Sequence, residues 1–142
     1  MFAMTIRKAT TGDLSQLVAF DTKTKGLTER IADIKTAIIG GKCWVYAEKG
    51  APAGYAVLQD DFFGRPFVKT IFVEPGSRRH GIATKLLTHL ETVSGHDRLF
   101  TSTNQSNEPM RHLLNKMGYQ QCGEIHGLND NDPELVFIRA LA

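Results

Sequence analysis

The residues best placed to do chemistry lie in the run Phe72-Val73-Glu74-Pro75-Gly76-Ser77-Arg78-Arg79-His80-Gly81-Ile82-Ala83-Thr84. An apolar stretch stops at a proline, three basic residues follow, and a glycine opens a segment with helical spacing. The first turn of a helix has unpaired backbone N–H groups and the positive end of the dipole, which together suit a phosphate. Gly81 and Ala83 keep side chains away from where a diphosphate would approach the backbone, and Arg78, Arg79 and His80 add positive charge at the same point. The pattern is not a Walker loop, which needs G-x-x-x-x-G-K-[ST], nor a G-x-G-x-x-G fingerprint. On these residues alone, a solvated basic turn whose glycine serves only close packing stays open beside the phosphate reading.

Other chemistry-bearing groups are thinner. Five histidines show no ligand spacing, so no metal site is expected. Asn129-Asp130-Asn131-Asp132-Pro133-Glu134 is superficially like a calcium loop but lacks the glycine at position six and the glutamate at position twelve. It reads as a polar hairpin turn, with a binding role for its carboxylates as the alternative. Phe62-Phe63-Gly64-Arg65-Pro66 reads as a packing turn, or as two aromatics walling a pocket. Cys43 and Cys122 form no C-x-x-C pair and read as free thiols in a reducing cytosol.

Short elements must position these residues. Met4 to Lys8 reads as a strand. Thr11 offers an N-cap oxygen for a helix running to about Phe20, with Asp13 in its first turn. A second helix is expected over Thr28 to Ile39, with Ile31, Ile34 and Ile38 on one stripe and Gly40-Gly41 ending it. Cys43 to Glu48 and Ala53 to Asp60 form a hairpin around Lys49-Gly50-Ala51-Pro52, and Phe67 to Val73 is a further strand. Ile82, Ala83, Leu86, Leu87, Leu90 and Val93 recur at helical spacing up to Gly95. A strand over Arg98 to Thr103, a helix over Pro109 to Met117 and strands over Tyr119 to His126 and Leu135 to Ala140 complete the order βααβββαβαββ. Phe67 to Thr103 should be a crossover joining parallel neighbours, and the other strands can pair antiparallel. The expected fold class is α/β with a mixed sheet.

Size and composition frame this reading. The 142 residues suit one domain spanning 1–142, and the 42% hydrophobic and 23% charged fractions are those of a globular protein. A net charge of +2 is too small for a nucleic-acid scaffold. The N-terminus has no basic region followed by an apolar stretch, and no run nears the roughly 20 apolar residues that span a membrane. A soluble, cytoplasmic protein is expected.

Arg78-x-x-Gly81-x-Ala83 after Val73-Glu74-Pro75 resembles the pyrophosphate-binding motif of the GNAT N-acetyltransferase superfamily. Asn107-x-x-Met110-x-x-Leu113-Leu114-x-Lys116-Met117-Gly118-Tyr119 is similar to that family's N-x-x-A-x-x-L-Y-x-K-x-G-F segment, and the element order agrees throughout. The resemblance implies a mostly antiparallel sheet with one parallel, splayed strand pair near Val73 and Thr103. It implies acetyl-CoA as acyl donor, its pantetheine arm bonded by the backbone of Phe72 and Val73. Arg78, Arg79, His80, Gly81, Ile82, Ala83 and Thr84 would hold the pyrophosphate, and Asn107 would contact the arm. The acceptor would be a small-molecule or peptide primary amine, and the protein a monomer or homodimer.

The match fails where proton transfer is concerned. The family's usual tyrosine, thought to protonate the leaving thiolate, falls on Leu114, and Tyr119 stands at the aromatic strand-start position, where it reads as core. Many relatives carry a carboxylate on the strand before the motif, yet here Lys69 and Thr70 occupy it. Glu74, Glu134 and Tyr119 are the weak catalytic candidates, with Asp60, Asp61 and Glu29 as further bases. A non-catalytic acyl-CoA-binding module is therefore the rival expectation.

Overall fold

A computed structural model describes residues 5–20, 27–78 and 81–141, without the side chains of 27–30. The elements are β1 (Thr5–Lys8), α1 (Leu14–Phe20), α2 (Leu27–Ile39), β2 (Cys43–Glu48), β3 (Ala51–Phe62), β4 (Arg65–Val73), α3 (Ile82–Val93), β5 (Arg98–Asn104), α4 (Glu108–Lys116), β6 (Gln120–Ile125) and β7 (Glu134–Ala140). The order is the expected one. The strands form one sheet in the order β1-β2-β3-β4-β5-β7-β6, antiparallel throughout except for β4 and β5. The protein is α/β with a mixed sheet.

Local chemistry shifts several boundaries. The cap before α1 is Thr10 rather than Thr11, because a short 3-10 turn over Thr11–Asp13 precedes the helix. Asp13 reaches back to accept from the Thr10 N–H at 2.7 Å, and from two Arg7 nitrogens at 2.8 and 3.0 Å. The β2–β3 hairpin closes through Lys49 (φ 52°) and Gly50 (φ 80°) alone, so Ala51 and Pro52 belong to β3. Phe63 (φ 53°) and Gly64 (φ 76°) close β3–β4 the same way, which makes Phe62 to Pro66 a tight hairpin. Two successive positive φ values match the right-handed twist of paired strands. Met4 lies outside the described residues.

The core has two layers. Leu17, Ile34, Ala37 and Ile38 of α1 and α2 pack on Cys43, Val45, Tyr55 and Val57. On the opposite face Ile82, Leu86, Leu87, Leu90 and Leu114 of α3 and α4 meet Trp44, Leu58, Val68, Leu99, Leu135 and Phe137. Each fully buried leucine contributes roughly 1.5–3 kcal/mol. Val93, expected to face inward, is 41% exposed.

One irregularity shapes the centre of the sheet. Val57 lies opposite Thr70 and Leu58 opposite Val68, so Lys69 is an extra residue in β4. Such a bulge bends its strand and raises the local twist. The parallel ladder pairs Phe67 with Phe100 and Val68 with Thr101, and among the described residues it runs no further. The buried Thr101 hydroxyl donates to the Val68 carbonyl at 3.1 Å, closing the last rung where the strands part.

Candidate active site

Past that rung, Lys69 to Val73 of β4 and Ser102 to Asn104 of β5 edge a gap in the sheet. The end of β4 is fixed by the Glu74 N–H, which donates to the Ala53 carbonyl at 2.9 Å. A 3-10 turn over Pro75–Ser77 then leads to Arg78. Gly81 stands immediately before α3 in the left-handed region (φ 74°, ψ 16°), and its carbonyl accepts the Lys85 N–H at 3.0 Å. A Cβ built on Gly81 would meet none of the described residues beyond its chain neighbours within 4 Å. The glycine is there for its backbone angle and to keep a side chain away from the start of the helix. With no acidic residue in the first turn of α3, its N–H groups and dipole face an anion unopposed.

Gly54 of β3 allows this helix to sit where it does. A Cβ there would lie 3.0 Å from the Phe72 carbonyl oxygen and 3.2 Å from the Ile82 side chain. Arg78 is exposed; its Nε donates to the Val73 carbonyl at 3.0 Å, and its guanidinium stands 5.5 Å from the centre of the Phe72 ring. Arg79 and His80 lie outside the described residues. Asn107 caps α4, its Oδ1 accepting the Met110 N–H at 3.2 Å.

The candidate proton-transfer groups are scattered. Glu74 accepts from the Ser77 hydroxyl at 3.2 Å within the turn. Asp60 pairs with Lys42, Asp61 accepts from Gln59, and the Glu29 side chain is outside those described. Leu114 is 1% exposed in the core under α3 and α4, so the family's tyrosine position is apolar and sealed. Tyr119 is buried too, and its hydroxyl donates at 2.7 Å to Glu91 near the C-terminal end of α3. Arg139 donates to both oxygens of the same carboxylate at 2.8 Å. Burial first, and then the bond to Glu91, raise the Tyr119 pKa far above the ordinary phenol range. It lies at the opposite end of α3 from Gly81.

Glu134 lies at the gap. Its Oε2 accepts from the Ser102 hydroxyl at 2.6 Å, and Ser102 is the first β5 residue past the last rung. On the same face Phe62 stacks on Phe67 at 4.6 Å between ring centres and tilts against Phe100 at 5.4 Å. Sequence reading named Glu134 but missed its partner and the Lys69 bulge, since both depend on strand register. Gly54 did carry a signal, as a lone glycine inside a strand.

A model of the acetyltransferase (GNAT) family matches residues 15–119. The chain belongs to that family. A GNAT acetyltransferase from Bacillus cereus ATCC 10987 is 31% identical, with 99% of each chain covered and a TM-score of 0.90. YncA of Salmonella typhimurium, solved with its cofactor acetyl-CoA, is 20% identical over 99% of this chain and 95% of its own, at TM-score 0.76. The ribosomal-protein-S18-alanine N-acetyltransferase of Escherichia coli is 17% identical over 99% and 95%, at TM-score 0.83. At those last two identities the likeness is one of fold. No curated protein matches the sequence. The GNAT match spans α1 to the start of β6 and so takes in the whole Gly81 loop and the parting strands.

Proposed function

We propose that residues 1–142 act as one acetyltransferase domain that moves an acetyl group from acetyl-CoA to a primary amine. The observation that carries this reading is Gly81, left-handed and clear of the described residues at the start of α3, beside a strand pair that parts after Val68 and Thr101. Arg78, Gly81, Ile82, Ala83 and Thr84 would hold the pyrophosphate, with Arg79 and His80 adding charge. The backbone of Phe72 and Val73 would bond the pantetheine arm as a strand does, and Asn107 would meet it from α4. For Val73 to offer its carbonyl to the arm, Arg78 must release it and turn toward the phosphates.

Acetyl-CoA supplies the activated acyl group. The chain must hold the amine as it loses its proton, since a lysine-like amine has a pKa of roughly 10.4. A backbone N–H on the free edge of β4 is suited to the developing oxyanion. A thiol is far more acidic than water and leaves tolerably as the anion, so a leucine at position 114 is compatible with turnover. Among the described residues no helix is long and apolar enough to cross a membrane. The free thiols of Cys43 and Cys122 fit a reducing cytoplasm. The second reading, a non-catalytic acyl-CoA-binding module, draws its support from the sealed Leu114.

Acetyl-CoA at a hundred times its Kd should stabilise the fold by about 2.7 kcal/mol and raise the Tm accordingly. Gly81→Glu should abolish the shift by placing a carboxylate where the phosphates approach. Gly81→Asn, which tolerates the left-handed conformation, controls for strain and should keep part of it. An undiminished shift in Gly81→Glu would contradict the proposed loop.

A further inference from the structure

Resting on the transfer reaction above, we propose that Ser102 and Glu134 form the acceptor subsite. Glu134 receives the ammonium of a primary amine and takes its proton, and Ser102 fixes the carboxylate. Phe62, Phe67 and Phe100 take an aromatic or apolar group carried beside that amine.

The placement follows from register. Leu99 and Leu135 belong to the core under α3 and α4, so by strand alternation Phe100, Ser102 and Glu134 point to the other face. Among the described residues, the core under α1 and α2 is built on β2, β3 and Phe72 of β4 and takes in no residue of β5 or β7. Ser102 and Glu134 are each half-buried on the part of that face outside this cluster, as are the three phenylalanine rings. Glu134 is also held firmly. The residues just before it bind the β5–α4 loop, with Gln105 N–H donating to the Pro133 carbonyl at 2.9 Å. Ser106 donates to Asp132 from its N–H at 3.0 Å and from its hydroxyl at 2.6 Å.

Charge selects the occupant. Around Glu134, Asp132 is engaged by Ser106, Glu124 lies 2.8 Å from His126, Asp130 is exposed on the loop, and Lys69 across the gap faces Asp33 at 3.7 Å. Among the described residues Glu134 has no basic partner, only the neutral Ser102 hydroxyl. A carboxylate oriented by a neutral donor beside aromatic rings complements an ammonium next to an apolar group.

The ammonium gives one proton to Glu134, and the freed nitrogen pair forms the N–C bond at the thioester carbonyl. The C–S bond then breaks with its electron pair on sulfur. The second nitrogen proton passes to that sulfur, yielding thiol and amide, and Glu134 returns its proton to solvent.

The test compares phenethylamine, protonated at neutral pH, with aniline, which is neutral there, in wild type and in Glu134→Gln. The variant should lose roughly 10²–10⁴-fold in kcat with phenethylamine, the span of a general base, and much less with aniline. Its acetyl-CoA-induced rise in Tm should be unchanged. Ser102→Ala should repeat the pattern at about tenfold, near the weight of one charged hydrogen bond. Wild type should also favour phenethylamine over propylamine by about tenfold in kcat/KM, the lower end of what burying an aromatic ring provides. Equal losses with both amines, no loss in Glu134→Gln, or no preference for the ring overturns the proposal. A wild-type enzyme inert toward every amine would instead overturn the transfer reaction itself.

Discussion

Position 114, where the motif has its tyrosine, and Tyr119, the tyrosine nearest to it in sequence, both serve packing in this chain. Leu114 fills the site of the family's tyrosine with a side chain buried in the core under α3 and α4, and the Tyr119 hydroxyl donates to Glu91, which Arg139 also holds. Tyr119→Phe therefore deletes a hydrogen bond to a carboxylate whose other partner among the described residues is Arg139. It should lower stability by about 1–3 kcal/mol and leave kcat within a few fold. Thermal unfolding and steady-state rates on the same preparation check both halves, and a hundredfold fall in kcat at unchanged Tm would make Tyr119 the acid. The Gly81 motif could be picked out at this scale because its residues are contiguous in the sequence. Glu134 was visible only as one carboxylate among several. What singles it out is Ser102, which lies 32 residues away along the chain and is brought near by the β5–β7 register.

Among the elements, those bounded by local chemistry were read most sharply. The α3 boundaries, Ile82–Val93, follow from apolar spacing after Gly81, and the structure keeps both. The hairpins are tighter than the sequence suggested because paired positive φ values at Lys49-Gly50 and Phe63-Gly64 close them in two residues. The extra residue in β4 had no local signal, since a bulge depends on what the neighbouring strand offers. Seating α3 close to the sheet depends on Gly54, which faces the Phe72 carbonyl and Ile82 with no room for a side chain. Gly54→Val should push the start of α3 outward, costing about 1–3 kcal/mol of stability as overpacking does. It should weaken acetyl-CoA binding by the displacement of the Gly81 loop. Calorimetric titration of the folded variant reads this directly, and an unaltered affinity would show that the helix position does not govern the loop.

At the scale of the whole molecule, the element order was readable from periodicity and punctuation, while the place of each strand in the sheet was only partly so. The parallel β4–β5 pair was expected from the β4–α3–β5 crossover. That β7 lies between β5 and β6 was not readable, because β6 and β7 are simply consecutive strands and either could have taken the inner place. The inner strand, β7, is the one that brings Glu134 to the gap. The proposed reaction is acetyl transfer from acetyl-CoA to an amine. Its most direct measurement incubates the protein with acetyl-CoA and a panel of primary amines, scoring free CoA thiol and the mass of the product together. The account predicts thiol release matched mole for mole by N-acetylated amine, and loss of both in Gly81→Glu. A rise in Tm with acetyl-CoA but no thiol release with any amine would contradict it and leave a module that binds the acyl donor without using it.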